Sequence, residues 1–283
     1  MTPTGDRIGI IAGSGHLPFH VAQCLSGAGK NVYVAGLKGA AEPALDRPGW
    51  ETGWYDAYSL QGLLEGLGQA GVTKVVLAGR VGHDEIFRTS EFDGLLINFL
   101  ENLKDHRSLT ILGRLVDLLT GNGFQVLPLT DVAPDLVPDT GHLAGPRVQR
   151  EQVRDLDFGW RTARGVADLD IGQTAIVKGG AVVAVEAMEG TDKTIERAGG
   201  ISSGNLTLVK LAAIDHDFRY DVPTVGPDTI SRLAEAGGNL LAVEAGRCFL
   251  LDLNQISVLC DDKGISLISC REAEDGGVHW PEA

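Results

Sequence analysis

The stretch RIGIIAGSG at residues 7–15 decides the fold of the first half of the chain. Its isoleucine-rich apolar run predicts a buried strand that ends at Ala12, and the turn Gly13-Ser14-Gly15 follows at once. Apolar residues at helical spacing between Leu17 and Gly29 predict a helix directly after the turn. A strand, a glycine-rich turn and a helix in this order are typical of the first unit of a parallel α/β sheet.

The alternation of strands and helices continues along the first half. We expect strands over 31–35, 74–78 and 124–129 and helices over 60–70, 94–103 and 109–119. Prolines then become frequent between Pro128 and Pro146, a composition that ends regular structure and suits a linker. The sequence therefore predicts a Rossmann-like parallel-sheet domain over 1–135, a linker over 136–148 and a second domain over 149–283.

The second half has a different pattern, which predicts an α/β domain with a mixed sheet. Residues 175–178 and 181–185 flank Gly179-Gly180, and a Gly-Gly pair supplies the positive φ angles of a two-residue hairpin turn. The runs VVAVEA at 182–187 and LLAVEA at 240–245 each place a glutamate after an apolar strand. They predict either an internal repeat or two strands that end alike by chance.

Composition and charge exclude several classes of protein. The 283 residues are 43% hydrophobic and 22% charged, as in globular proteins, and the formal net charge of -14 would repel a nucleic-acid backbone. The absence of a signal-like or long apolar stretch predicts a cytoplasmic protein. The four cysteines lack metal-ligand spacing and lie in apolar runs, so we expect reduced, buried thiols at Cys24, Cys248, Cys260 and Cys270.

The Gly13-Ser14-Gly15 turn is the first candidate binding site. Small residues between a strand and a helix let a phosphate approach the backbone N–H groups, although the same turn would serve a purely structural role. Pro18 stands where a dinucleotide fingerprint has its third glycine, and the second predicted strand ends without an acid, so NAD binding is disfavoured. Arg80, after Gly79 at the end of another strand, is either a phosphate partner or a solvated side chain.

Carboxylates become frequent at strand ends in the second half, where oxygen ligands would suit Mg²⁺. Each acid alone has a structural alternative as a cap or loop residue. Lys210, at the end of an apolar run, is either a phosphate partner or a snorkelling lysine. The charged triplet at 105–107 is interpreted as a helix cap on the surface. The candidate acids are Asp168, Asp170, Glu186, Glu189, Asp192, Asp215, Asp217 and Asp221.

Four separated motifs resemble one known family. They are GIIAGSGHLP at 9–18, LDIGQ at 169–173, AVEAMEGTD at 184–192 and RYDVPTVG at 219–226, and they follow the family's order over nearly the whole chain. The family is the LpxI-type UDP-2,3-diacylglucosamine pyrophosphatases. The resemblance implies a Mg²⁺-dependent hydrolase of lipid A synthesis that releases UMP and 2,3-diacylglucosamine 1-phosphate.

The resemblance also implies roles for individual residues. Asp221 matches the aspartate that the family needs for activity, Lys210 is the second catalytic candidate, and Asp221, Asp192 and Glu189 would hold Mg²⁺. The implied substrate-binding residues are Gly13, Ser14, Gly15, Leu17, Pro18, Gly79, Arg80, Asp170, Gln173, Thr191 and Thr224. The chain departs from the family pattern at three places. Where the family often has Gly-Asp-Asp at a helix start, this chain has DHRS at 105–108. Ala213-Ile214 replaces a Lys-Pro that often follows the lysine matched by Lys210, and Val222 replaces a leucine.

A diacylated substrate implies partners as well. We expect transient, peripheral contact with the cytoplasmic surface of the inner membrane, and a homodimer is the candidate assembly. The alternative functions are binding or hydrolysis of a soluble UDP-sugar and a non-catalytic nucleotide-binding module that regulates a partner.

Overall fold

The computed structural model describes residues 7–80, 93–104, 108–202, 204–274 and 277–279. The triplet at 105–107, interpreted above as a helix cap, lies outside the described residues. The chain divides into two compact units. The first comprises Met1–Pro134 and Asp217–Asp221, and the second comprises Asp135–His216 and Val222–Ala283. A five-residue segment far along the sequence, which we had placed in the second domain, therefore makes its contacts within the first unit.

The first unit is built on a five-stranded parallel sheet of strand order β3-β2-β1-β4-β5. This confirms the predicted α/β fold class. The strands are β1 (Arg7–Ala12), β2 (Asn31–Lys38), β3 (Glu51–Asp56), β4 (Val72–Ala78) and β5 (Gln125–Val126). The helices are α1 (Leu17–Gly27), α2 (Leu60–Gln69), α3 (Gly94–Glu101), α4 (Ser108–Gly121) and α5 (Leu129–Val132), with 3-10 turns at Pro43–Leu45 and Pro134–Leu136.

The strand of the first unit that the sequence did not reveal is β3. Its residues ETGWYD contain no apolar run, as is expected of an edge strand with no fully buried residue. By contrast, β1 and β4 lie at the centre of the sheet, and the side chains of Ile10 and Val75 are completely buried. Central parallel strands bury both faces, which is why their near-continuous apolar runs could be recognised.

The second unit contains a seven-stranded mixed sheet. Its main path has the strand order β14-β13-β11-β9-β7-β8, and β6 also pairs with β13. The strands are β6 (Gly141–Ala144), β7 (Thr174–Lys178), β8 (Ala181–Val185), β9 (Leu206–Lys210), β10 (Thr224–Val225), β11 (Gly238–Glu244), β12 (Phe249–Leu250), β13 (Ser266–Glu272) and β14 (Val278–His279). The helices are α6 (Arg150–Asp168), α7 (Thr191–Ile201), α8 (Pro227–Glu235) and α9 (Leu253–Lys263), and β10 and β12 form a separate parallel pair.

Parallel pairing joins β9, β11 and β13, whereas β7 and β8 form the antiparallel hairpin predicted from the Gly-Gly pair. Gly179 and Gly180 both have positive φ angles, 60° and 76°, as such a turn requires. The two similar VEA-containing runs lie on β8 and β11, which occupy different positions in the sheet. β8 pairs antiparallel with β7, whereas β11 pairs in parallel with both β9 and β13, so the two runs do not have equivalent strand partners. Strand β6 lies inside the range 136–148 that we had interpreted as a linker.

The cysteines are free thiols, as predicted. Cys248, Cys260 and Cys270 are buried, and burial raises the pKa of each of these thiols to about 12. Cys24 departs from the prediction because it is only partly buried. Among the described residues, no helix combines the length and the apolar character that crossing a membrane requires.

Asp155 on α6 fixes the β7–β8 hairpin. Its buried carboxylate accepts hydrogen bonds from the backbone N–H of Gly179 at 2.7 Å and of Gly180 at 2.6 Å. We expect Asp155→Ala to lower the free energy of unfolding by about 2–4 kcal/mol, because the two N–H groups of the hairpin turn lose a buried, charged acceptor. The matched control is Asp157→Ala on the same helix, an exposed acid that pairs with Arg161 and should cost less than about 1 kcal/mol. Urea denaturation of the two variants measures the difference, and equal losses would contradict this role of Asp155.

Candidate functional site

The turn after β1 crosses the end of β4 in direct backbone contact. The Gly13 N–H donates to the Ala78 carbonyl at 2.8 Å, the Ser14 N–H donates to the Arg80 carbonyl at 2.7 Å, and the Arg80 N–H donates to the Ser14 carbonyl at 3.1 Å. A Cβ atom on Gly13 would overlap the Arg80 carbonyl, and one on Gly79 would lie 2.6 Å from the Ser14 carbonyl. Gly13 and Gly79 are therefore needed for the crossing of the two loops.

This crossing changes which groups of the turn can hold an anion. The N–H groups of Gly13 and Ser14 are already bonded, and the Ser14 hydroxyl donates to the Arg80 carbonyl at 3.0 Å. Gly15 is exposed, with a φ of 89°, and no side chain caps the helix that starts at Leu17. Anion binding at this turn would rest on Gly15 and the first turn of α1, where backbone N–H groups point away from the helix.

Three further predicted residues lie beside this turn. Leu17 is partly buried, and Pro18 is buried in the first turn of α1, where its fixed φ angle suits a helix start. The Arg80 side chain is exposed and forms no ion pair with any residue that the structure describes. A guanidinium in this state keeps its donors for an incoming phosphate.

In the second unit, Lys210 ends β9 inside a buried polar cluster. Its side chain is only 3% exposed, and its ammonium donates to the Thr191 hydroxyl at 2.8 Å and to the Thr174 hydroxyl at 3.4 Å. The carboxylate of Glu186 completes the cluster, with Oε2 at 3.5 Å from Lys210 Nζ and Oε1 accepting from Thr191 at 3.0 Å. Lys210 does not snorkel to solvent, and its charge is compensated by Glu186.

The pKa of the Glu186 carboxyl lies below its ordinary value. Burial favours the neutral form and would raise the pKa, but the neighbouring Lys210 ammonium stabilises the carboxylate. Hydrogen bonds from Thr174, from Thr191 and from the Gln173 backbone add to this effect. Glu186 is therefore an ionised, buried partner of Lys210. It also accepts the hydrogen bond from Thr191, the first residue of α7, and so stabilises the start of this helix.

The two predicted metal ligands of this unit both face arginines. Glu189 Oε1 lies 2.5 Å from Arg197 Nη2, and this hydrogen bond lowers the pKa of Glu189. Asp192 Oδ2 lies 3.6 Å from Arg232 Nε, and its side chain is half exposed. Within the described ranges, no three His, Cys, Asp or Glu side chains are grouped to hold a metal ion.

The remaining predicted substrate-binding residues of this unit lie near strand ends. Asp170 is exposed and has a φ angle of 55°. The Gln173 carbonyl accepts a hydrogen bond from the Leu211 N–H at 2.9 Å, and Thr224 lies on β10.

Asp221 ends the segment that belongs to the first unit. The Phe218 carbonyl accepts from the Leu129 N–H at 2.8 Å, and Tyr220 packs against the apolar core of this unit. Arg219 and Asp217 form a two-pronged ion pair, with Nε–Oδ1 at 2.9 Å and Nη2–Oδ2 at 2.6 Å. Asp221 therefore follows directly on an anchored stretch of chain and is itself partly buried.

A second buried charge cluster was not recognised from the sequence. Arg164 lies on α6, and its Nη2 atom is 2.6 Å from Glu244 Oε1 and 2.5 Å from Glu272 Oε2. Arg247 Nε lies 3.3 Å from Glu244 Oε2. The only sequence signal was the glutamate that follows each of the two similar apolar runs. The structure shows that Glu186 and Glu244 both end an apolar strand as buried partners of a cation.

The fold and these residues define a class of protein: a two-unit α/β chain with a glycine-rich turn after the first strand of one unit and buried charge clusters in the other. Family models described as the LpxI N-terminal domain and the LpxI C-terminal domain match residues 7–136 and 139–268. The chain belongs to the LpxI family. A relative from Caulobacter vibrioides, named UDP-2,3-diacylglucosamine pyrophosphatase LpxI, is 31% identical over 274 residues, covering 93% of this chain and 96% of the relative.

Two of the solved structures that are similar to this chain are reductases. One is a leucoanthocyanidin reductase in complex with NADPH from Vitis vinifera, at 13% identity and a TM-score of 0.31, covering 94% of this chain and 78% of that one. Another is an isoflavone reductase, at 14% identity and a TM-score of 0.29, covering 96% and 80%. These low TM-scores support no conclusion about function.

The loop crossing at Gly13 generates a stability prediction. Gly13→Ala should lower the free energy of unfolding by about 3 kcal/mol, because its Cβ would force the Arg80 backbone to move. Gly27→Ala is the matched control, since Gly27 lies in α1 with open space around it and its substitution should be neutral or slightly stabilising. Chemical denaturation measures both changes. A Gly13→Ala variant as stable as the native chain would refute the close approach.

The Glu186–Lys210 pair generates a pH prediction. A carboxyl whose pKa is lowered in the folded state stabilises the protein above its unfolded pKa, and this stability is lost as the pH falls through the folded pKa. At pH 7, Glu186→Gln should cost about 3–5 kcal/mol because Lys210 is left buried without its charge partner. The difference from the native chain should narrow below about pH 4.3, the ordinary glutamate value.

Urea denaturation between pH 7 and pH 3 measures this difference. Glu189→Gln is the control, because Glu189 pairs with Arg197 at the surface, where water screens the interaction, and its effect should be much smaller. A Glu186→Gln difference that stays constant down to pH 3 would mean that the Glu186 carboxylate does not carry the effect.

Proposed function

We propose that the chain hydrolyses the pyrophosphate of UDP-2,3-diacylglucosamine to UMP and 2,3-diacylglucosamine 1-phosphate. The observation that carries this proposal is the match of both units, in order, to the LpxI family, together with the pyrophosphatase from Caulobacter vibrioides that aligns with 93% of the chain. The motifs quoted from the sequence fall in both units, so the resemblance does not rest on the common parallel-sheet fold alone.

The first unit is proposed to bind the nucleotide. Gly15 and the first turn of α1 present backbone N–H groups, and the exposed Arg80 adds a positive charge at the same edge of the sheet. Gly13, Ser14 and Gly79 contribute by shaping this edge, because they hold the two loops together. Leu17 and Pro18 set the start of the helix that faces the phosphate.

The second unit is proposed to bind the acylated sugar phosphate. Asp170, Gln173, Thr191 and Thr224 supply carboxylate, amide and hydroxyl groups near strand ends. Lys210 would contribute its positive charge from a buried position, either by exchanging Glu186 for a phosphate oxygen or through Thr191, to which it donates. A phosphoryl-transfer reaction needs such fixed positive charge where negative charge develops.

Mg²⁺ is the proposed cofactor, and Asp221, Asp192 and Glu189 are the carboxylates proposed to hold it. Carboxylate oxygens are the ligands that Mg²⁺ prefers, and the arginine pairs of Asp192 and Glu189 are near the surface, where ion pairs are weak enough to exchange. Bound Mg²⁺ would neutralise pyrophosphate oxygens. Asp221 is proposed as the residue on which activity depends most, and its anchored segment supports a fixed position.

Contact with the inner-membrane surface from the cytoplasmic side is proposed as peripheral and transient. What supports it is a set of exposed apolar side chains near the strand ends that carry Asp170, Gln173 and Glu186. Met188 is 95% exposed, Leu169 71% and Ile214 58%. Such residues would favour a lipid surface and offset the repulsion expected from a net charge of -14.

The proposal predicts a specific loss of activity. Asp221→Ala should reduce UMP release from UDP-2,3-diacylglucosamine by at least about a hundredfold, because its carboxylate is proposed to hold the metal at the reacting phosphate. EDTA should stop the native chain, and added Mg²⁺ should restore it. Asp157→Ala, which removes an exposed acid on α6, should keep native activity.

Chromatography of released UMP measures these rates. An Asp221→Ala variant with native turnover would overturn the assignment of Asp221. Tight binding of UDP-sugars by the native chain with no UMP release would instead favour a non-catalytic nucleotide-binding module.

A further inference from the structure

The segment that carries Asp221 is an excursion of the chain. The polypeptide leaves the second unit after His216, contributes Asp217–Asp221 to the first unit and returns at Val222. The residues on both sides of the excursion belong to the second unit. Asp221 follows the anchored residues Phe218 and Tyr220 and is joined directly to the returning flank at Val222, so the flanks constrain its path in addition to those anchors.

The outgoing flank, residues 212–214, is held by charged side chains rather than by a strand partner. The Ala212 N–H donates to Glu244 Oε2 at 3.2 Å, and the Ala212 carbonyl accepts from Arg164 Nη1. The carbonyls of Ala213 and Ile214 both accept from Arg247 Nη2, the second at 3.0 Å.

One more side chain holds the end of this flank. The Ile214 N–H donates to Asp168 Oδ1 at 2.8 Å. Five backbone groups in three consecutive residues thus bind ionised side chains, and hydrogen bonds to charged groups are about twice as strong as those between neutral groups.

The returning flank is held by backbone pairing. The Pro223 carbonyl accepts from the Phe249 N–H at 2.8 Å, and the Val225 carbonyl accepts from the Leu251 N–H at 2.9 Å. These bonds belong to the parallel pair of β10 and β12, in which Thr224 lies opposite Phe249. The returning chain is fixed within two residues of Asp221.

Both flanks meet the same short turn. Glu244 ends β11, Arg247 follows it, and Phe249 begins β12. Arg247 holds the outgoing flank and Phe249 holds the returning flank. The turn at 244–249 is thus the common base of the excursion, and Arg164 fixes this base from α6 through its 2.6 Å ion pair with Glu244.

We infer that Arg247, supported by Glu244 and Arg164, is a positioning residue that fixes the path of the Asp217–Asp221 excursion and thereby places Asp221. This inference rests on the proposed function, in which Asp221 takes part in hydrolysis. Arg247 acts through the backbone of residues 213 and 214 and does not touch the reacting atoms. A displacement of about 1 Å in a reacting group can cost on the order of a hundredfold in rate, so a looser base lowers turnover without removing any binding group.

The test compares Arg247→Ala and Arg247→Lys with the control Arg161→Ala, which removes an exposed arginine from α6. With UDP-2,3-diacylglucosamine as substrate, Arg247→Ala should lower kcat by about 10- to 100-fold and change KM by less than about threefold. Arg247→Lys, which keeps one charged donor, should recover part of the loss. Hydrogen exchange at neutral pH should become faster in peptides that cover 211–222 and stay unchanged in α6.

The outcomes separate this inference from the proposed function. If Asp221→Ala abolishes turnover while Arg247→Ala keeps native kcat and native exchange at 211–222, the positioning role is wrong and the proposed function stands. If neither the native chain nor any variant releases UMP, the proposed function fails. The rate of amide hydrogen exchange at 211–222 then decides by itself whether Arg247 holds the excursion. A uniform rise in exchange throughout the second unit of both Arg247 variants would show general destabilisation and overturn the inference.

Discussion

The structure of the second unit depends on one constraint: a charge that is removed from water must meet an opposite charge and hydrogen-bonding partners. Lys210 and Glu186 satisfy it at the end of β9, and Arg164 and Glu244 satisfy it at the end of β11. Each pair ties a strand end to a loop that carries proposed functional residues. The first pair holds the start of α7, which bears Thr191 and Asp192, and the second holds the chain that leads to Asp221.

In the first unit, backbone hydrogen bonds rather than ion pairs hold the loops at the strand ends in place. Gly13 and Gly79 allow two loops to cross at hydrogen-bonding distance, and the crossing uses the N–H groups of Gly13 and Ser14. This leaves Gly15, the uncapped start of α1 and the exposed Arg80 as the groups that can face a phosphate. The two units thus present different chemistry: hydrogen-bond donors in one, and clustered carboxylates and buried cations in the other.

Local sequence patterns predicted the parts of the fold that local physics determines. β1 and β4 are central strands with continuous apolar runs, and the Gly179-Gly180 pair marks a hairpin turn. The edge strand β3 and the proline-flanked β6 lack such runs and were not recognised. The partners of Lys210 and Arg164 come from distant strands, so the order of the sheet decides them and no local spacing reveals them. The same holds for Asp217–Asp221, whose contacts lie with the first unit.

Pyrophosphate hydrolysis is the claim on which the roles of these residues depend. ³¹P NMR of the native chain incubated with UDP-2,3-diacylglucosamine and Mg²⁺ tests it most directly, because it follows the reacting phosphorus atoms themselves. The account predicts that the two pyrophosphate resonances disappear together while two phosphomonoester resonances of equal intensity grow, one from UMP and one from 2,3-diacylglucosamine 1-phosphate. Pyrophosphate resonances that persist in the presence of folded protein would contradict it.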